Sequence, residues 1–192
     1  MAEGGIATLR FDKPGVAGNF PHRPQELAAF SRWENFVDDV VSAFYFLESQ
    51  AEVDSKRIAM VGHSEGGMLA LEATSRLRRD HREPAALVLA ATPGREMDVV
   101  MRAQLAGFGE RQGAGRAALA GALAEFDRAI DVLRRTGSAP KDLAPQVAPL
   151  FPAYLGQFLR SWFAVDTHEL ARPVQGTGLA RVRDRGPTGL AC

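Results

Sequence analysis

The run RIAMVGHSEGGML, residues 57–69, is the most informative stretch of the chain. Arg57 to Val61 is apolar and β-prone, and it reads as a strand apolar on both faces, as parallel strands are. Gly66 to Arg79 reads as a helix with Met68, Leu69, Leu71 and Leu77 available for packing. Between them Gly62-His63-Ser64-Glu65-Gly66 fits the pattern G-x-S-x-G. A strand running into this pattern and a helix leaving it is the setting of a sharp turn that lifts a serine hydroxyl above a sheet edge. Side chains two residues either side of Ser64 would collide there, which accounts for Gly62 and Gly66, and Gly67 would let the helix approach the strand. The first N–H groups of the helix have no partner inside it. The Glu65 N–H would therefore serve as one donor of an oxyanion hole. The alternative is a plain Gly-rich turn with an incidental serine.

Outward from this motif, Ala85 to Ala91 is another apolar run and reads as a buried strand. Upstream, Ile6 to Phe11 (IATLRF) reads as a buried strand ending in the turn Asp-Lys-Pro-Gly. Residues 12–25 form a loop rich in Pro and Gly. Ser31 with Glu34 has the spacing of a capping box. Phe36, Val37, Val40, Val41, Phe44 and Leu47 recur at helical spacing and predict a helix from about 32 to 50. Strands alternating with helices predict a parallel α/β sheet.

Beyond Thr92-Pro-Gly94 the pattern becomes helical, over 95–106, 114–135 and Tyr154 to Phe163, with prolines at 140, 145, 149 and 152. This stretch reads as a cap over the end of the sheet, or as a helical extension beside it. Asp166 with Glu169 marks a further capped helix start. The expected organisation is a partial α/β core at 1–94, a helical cap at 95–165 and a partial return to the core at 166–177. The aperiodic tail 178–192 is expected to be disordered.

Composition narrows the function. The chain has 192 residues with 23 basic and 23 acidic side chains. Zero formal charge removes the electrostatic case for nucleic acid or an anionic membrane. The one cysteine, Cys192, excludes an internal disulfide and a cysteine-based zinc site. No apolar run is long enough to span a membrane, and no leader pattern opens the chain. A cytoplasmic location is expected, with no metal or organic cofactor.

VDSKRIAMVGHSEGGMLALEA resembles the elbow region of α/β-hydrolase-fold serine hydrolases, above all bacterial carboxylesterase-like members grouped with serine aminopeptidases of the S33 type. IATLRFDKPGVAGN resembles the family's preceding strand and loop, and LVLAATPGREMDVVMRAQL the strand after the elbow helix and the start of the cap. The resemblance covers about residues 4–177. It implies a partial α/β-hydrolase parallel sheet with an inserted helical cap. It also implies hydrolysis of small-molecule esters or amides through an acyl-enzyme, with Ser64 as nucleophile and the Glu65 N–H as oxyanion donor. Other readings are a non-catalytic remnant and a peptidase of the same fold that uses Glu65 to hold a substrate ammonium.

The family's order is serine, then acid, then histidine. Ala171 to Thr177 resembles its next strand, but no matching acid and histidine follow. The family's first strands and the loop bearing its second oxyanion donor are also unmatched, so the chain reads as truncated at both ends. A family strand that lies between the Ile6 strand and the elbow strand has no counterpart. An unfilled slot and a marginally stable sheet are therefore expected. Cooperative thermal unfolding of a soluble monomer above mesophilic temperatures would contradict this.

Other residues carry weaker signals. His63 is read as a packing residue, or as one that supports the site without touching substrate, its side chain pointing away from the Ser64 hydroxyl, and His22 and His81 as surface residues. Asp166 and His168 form a conceivable replacement acid–histidine pair, although Asp166 is also explained as a helix cap. Gly107 to Gly113 reads as a loop of the cap. Adjacent Asp38 and Asp39 read as a solvated flank. The aromatic residues Trp33, Phe44, Phe46, Phe151, Phe158, Trp162 and Phe163 read as core or as an acyl pocket.

Overall fold

Buried backbone groups must be paired, and two short apolar segments meet this demand by pairing with each other. In the computed structural model, which describes residues 4–16, 18–19 and 24–174, β1 (Ala59–His63) and β2 (Ala86–Ala90) form a parallel ladder. Its register runs from Ala59 opposite Ala86 to His63 opposite Ala90. Helix α3 (Glu65–Arg79) connects the strands and packs against both. This is the α/β unit expected from the alternation of strand and helix patterns, with α3 starting one residue earlier than the periodicity suggests.

Side chains alternate across a strand, and here the two faces differ. Ala59, Val61 and His63 of β1 and Ala86 and Val88 of β2 are exposed, while Met60 and Leu87 are half-buried and Gly62 is buried. Val61 is 74% exposed and Val88 51%. Strands buried on both faces were expected, and that expectation is corrected. Only one face of the ladder is covered by helix among the described residues.

The segment Ile6 to Phe11 is a second correction. It forms no strand, and Ile6, Leu9 and Phe11 are exposed. Its backbone makes no ladder with β1, because a cavity lies between Leu9, Phe11 and Val16 on one side and β1 on the other. An apolar, β-prone segment becomes a strand only when a neighbour supplies hydrogen bonds.

Upstream of β1 lie α1 (Pro24–Phe30), which sequence periodicity did not reveal, and α2 (Trp33–Glu48). The Ser31–Glu34 capping box does not form. Ser31 ends α1 instead, its N–H donating to the Leu27 carbonyl oxygen at 2.8 Å, and Arg32 takes the cap position of α2 without a side-chain bond. The Ser31 hydroxyl is buried without a hydrogen-bond partner among the described residues. Helix α2 buries Trp33, Phe36, Val37 and Phe44 and packs on α3.

After β2 come α4 (Met97–Arg111), α5 (Arg116–Thr136), α6 (Gly156–Trp162) and α7 (Thr167–Ala171). Helix α4 continues through Gly107 and Gly109, where a loop was expected. Gly109 lets α5 approach, since a Cβ there would stand 2.8 Å from Leu119 Cδ1. Gly137 ends α5 in the left-handed conformation (φ 73°). The proline-rich stretch is irregular, with 3-10 turns at Ala148–Leu150 and Ala153–Leu155, and it buries Val147 and Phe151. Asp166 caps α7 by accepting from the His168 and Glu169 N–H groups, and α7 packs on α3. The tail call for 178–192, and residues 175–177 of the expected return to the core, lie outside the described residues.

One apolar cluster joins these elements. Met68, Leu69 and Ala73 of α3 share it with Phe126, Ile130 and Leu133 of α5 and Phe158 and Leu159 of α6. Each large side chain buried in this way stabilises the fold by roughly 1.5–3 kcal/mol. The helix that follows Ser64 is thus held from behind by the helical stretch. Of the aromatic residues read as core or acyl pocket, Trp33, Phe44, Phe151, Phe158 and Phe163 are buried, Trp162 is half-buried and Phe46 is exposed.

Candidate active site

Ser64 sits between the last residue of β1 and the first of α3 with φ 53° and ψ −121°. A non-glycine residue held there costs on the order of 1–3 kcal/mol and persists only where its surroundings enforce it. Two backbone bonds do so: the Ser64 N–H donates to the Ala90 carbonyl oxygen and the Gly67 N–H to that of Ser64, both at 2.9 Å.

The glycines divide into two kinds. A Cβ on Gly62 would stand 2.5 Å from the Gly67 Cα, and a Cβ on Gly67 would overlap the Thr92 side chain, 2.8 Å from its Cβ. Both residues must be glycine for β1, α3 and the end of β2 to meet. A Cβ on Gly66 would meet nothing within 4 Å. The expected collision at Gly66 is therefore absent, because this residue faces the cavity in front of Ser64 rather than the strand.

That cavity, of about 510 Å³, is lined by Ser64, His63, Lys13, Asp39, Phe36 and Glu65 among others. Its size lies within the range of small-molecule sites. Ser64 is half-buried, and no hydrogen bond joins its hydroxyl to a described residue. The Glu65 and Gly66 N–H groups, first in α3, also find no acceptor among the described residues.

Lys13 Nζ donates to Glu65 Oε1 at 2.6 Å. The ammonium also lies 5.4 Å from the ring centre of Phe36 and 5.6 Å from that of Phe158. One side chain thus joins the segment before α1, the elbow, α2 and α6.

Asp39, read with Asp38 as a solvated flank, is half-buried and lines the cavity. Asp38 points outward and pairs with Arg76 at 2.5 Å, but the next residue, about 100° further round the helix, lines the cavity with no ion pair or side-chain hydrogen bond to a described residue. Burial, and then the neighbouring Asp38 charge, push its carboxyl above the ordinary aspartate value. The signal was present in the spacing, because Phe36, Asp39, Val40, Ala43 and Leu47 share one helix face and all line this cavity.

His63 is exposed on the cavity wall rather than packed, and it makes no bond to Ser64. His81 and His168 are exposed, and His22 lies outside the described residues. The Asp166 side chain is spent on capping α7, so it does not orient His168. Among the described residues no three His, Cys, Asp or Glu side chains are placed to hold a metal ion, and no helix is long and apolar enough to cross a membrane.

No curated protein and no solved structure matches the chain. The family comparison does match: a strand, a strained serine at its end and a glycine-tight helix N-terminus stand within a region, residues 1–190, that fits the model of the alpha/beta hydrolase family, and the chain belongs to that family.

Proposed function

We propose that the chain is a serine hydrolase acting on carboxylic esters, with Ser64 as nucleophile and the Glu65 N–H as oxyanion donor. The observation that carries this reading is Ser64 at φ 53° on the wall of a cavity of about 510 Å³, directly before α3 N–H groups that meet no acceptor among the described residues. Ser64 Oγ would bond to the acyl carbon while its proton passes to a base. The carbonyl π electrons would move onto oxygen, where the Glu65 N–H and the α3 dipole stabilise them. Collapse would restore the carbonyl and break the bond to the alcohol oxygen, which takes the proton back from the base and leaves as the alcohol; water then hydrolyses the acyl-serine and regenerates Ser64. Helices α4 to α6, read as a cap over the end of the sheet or as a helical extension beside it, pack with α3 in the apolar cluster.

A peptidase that holds a substrate ammonium with Glu65 is less well supported, because the Lys13 ammonium already occupies that carboxylate. The non-catalytic reading draws on the Ser64 hydroxyl having no hydrogen-bonded base among the described residues. A fluorophosphonate probe separates the readings. Labelling of the wild type and not of Ser64→Ala supports the hydrolase, and absence of labelling in a folded sample supports the remnant.

A further inference from the structure

The ion pair at the elbow poses an electrostatic problem with a definite solution. A carboxylate in the first turn of a helix stabilises that helix, because it meets the positive end of the dipole. At position 65 the same charge stands one residue from the nucleophile, beside the N–H groups that would receive a developing oxyanion. An unpaired negative charge there opposes the charge formed in the reaction.

We propose that Lys13 is a positioning residue that cancels the Glu65 charge and so leaves the α3 N-terminus free to stabilise negative charge on the substrate. The proposal rests on the Ser64 reading above. Lys13 Nζ is 2.6 Å from Glu65 Oε1, within strong charge-assisted hydrogen-bond range. Its ammonium also lies over two aromatic rings, Phe36 and Phe158 at 5.4 and 5.6 Å, which attract the charge and hold it in place. The pair is only partly exposed, with the Lys13 and Glu65 side chains 38% and 21% accessible, so solvent screens it incompletely. Asp12 and Asp39 also line the cavity, but among the described residues the Lys13 ammonium forms its ion pair with Glu65 and with neither of them. Lys13 is thus the one cation paired with the elbow among the described residues.

A tether and a charge-canceller make opposite predictions for a second substitution. If Lys13 only ties the segment to α3, removing Glu65 as well restores nothing. If it cancels charge, removing Glu65 rescues the loss. The experiment measures the second-order rate of fluorophosphonate labelling, in which Ser64 Oγ bonds to phosphorus, fluoride leaves and negative charge builds on the phosphoryl oxygen. Wild type, Lys13→Met, Lys13→Arg, Glu65→Gln and the Lys13→Met/Glu65→Gln double variant are compared, with Ser64→Ala as blank and a thermal melt of each to establish folding.

Lys13→Met should label roughly tenfold to a hundredfold more slowly, the size of one uncompensated nearby charge. Lys13→Arg should recover most of that rate. The double variant should return to within about threefold of wild type, and Glu65→Gln should label faster than wild type. A double variant no faster than Lys13→Met, or Lys13→Met at the wild-type rate, overturns the proposal and leaves the Ser64 reading standing. Should Lys13→Met fail to fold, Glu65→Gln decides alone: slower labelling overturns the proposal. Absence of Ser64-dependent labelling in the wild type overturns both.

Discussion

The Ser64 N–H donates to the Ala90 carbonyl oxygen at 2.9 Å, so the residue at the tip of β1 is anchored on the neighbouring strand. This bond, one step past the last ladder pair His63–Ala90, holds the serine at a backbone angle that L-residues avoid. The strain follows from the ladder and is therefore measurable as stability.

Replacing Ser64 by Gly should raise stability by about 1 kcal/mol, because glycine adopts φ 53° without a Cβ penalty while losing more chain entropy on folding. Urea denaturation of the two proteins checks this. Equal or lower stability of Ser64→Gly would mean that the serine is not strained.

Gly67→Ala and Gly66→Ala, one residue apart, should behave oppositely. The first overlaps Thr92 and should cost on the order of 1–3 kcal/mol. The second points into open space in the first turn of α3 and should be neutral or stabilising by up to about 1 kcal/mol. The midpoint of chemical unfolding reads both.

Asp39 supplies a pH dependence. Its carboxyl lies above the ordinary value of 3.8 in the folded chain, so the fold favours the protonated form. Relative stability from this group is complete below 3.8 and is lost as pH rises through the higher folded value. Asp39→Asn should therefore be more stable than wild type at pH 7, by less than about 1 kcal/mol given the partial exposure of the group. The difference should vanish near pH 3. Thermal melts across this range test the sign.

Phe158→Ala should be the most damaging of these changes, at about 3–5 kcal/mol. Phe158 is 3% exposed and meets Phe36 at a ring separation of 5.0 Å and Trp162 at 5.4 Å. Loss of near-ultraviolet circular dichroism at ambient temperature is the expected observation.

Val61→Lys, by contrast, should stay within about 0.5 kcal/mol of wild type despite its place in the middle of β1, because the side chain is 74% exposed. A large loss of stability would show that the bare face of the ladder is covered in solution.

Local chemistry determined much of this protein. The strand–Ser–helix junction at 57–79 was legible because a glycine-flanked serine between an apolar run and an amphipathic run leaves the backbone few alternatives. Helices α2, α5 and α7 were readable from spacing and from the Asp166 cap for the same local reason. What depended on partners distant in the chain was not readable. Ile6 to Phe11 has the composition of a strand, yet a strand needs a second chain segment to receive its hydrogen bonds, and the segment lies off β1 across the cavity. Val61 and Val88 look like core residues, yet burial depends on what packs over them. Asp39 and Lys13 were indistinguishable from surface charges until the packing of α2 and of residues 9–16 against the elbow placed both on the wall of the cavity that Ser64 lines. Propensity and periodicity act within a few residues, whereas exposure, charge pairing and the cavity itself arise only when distant segments meet.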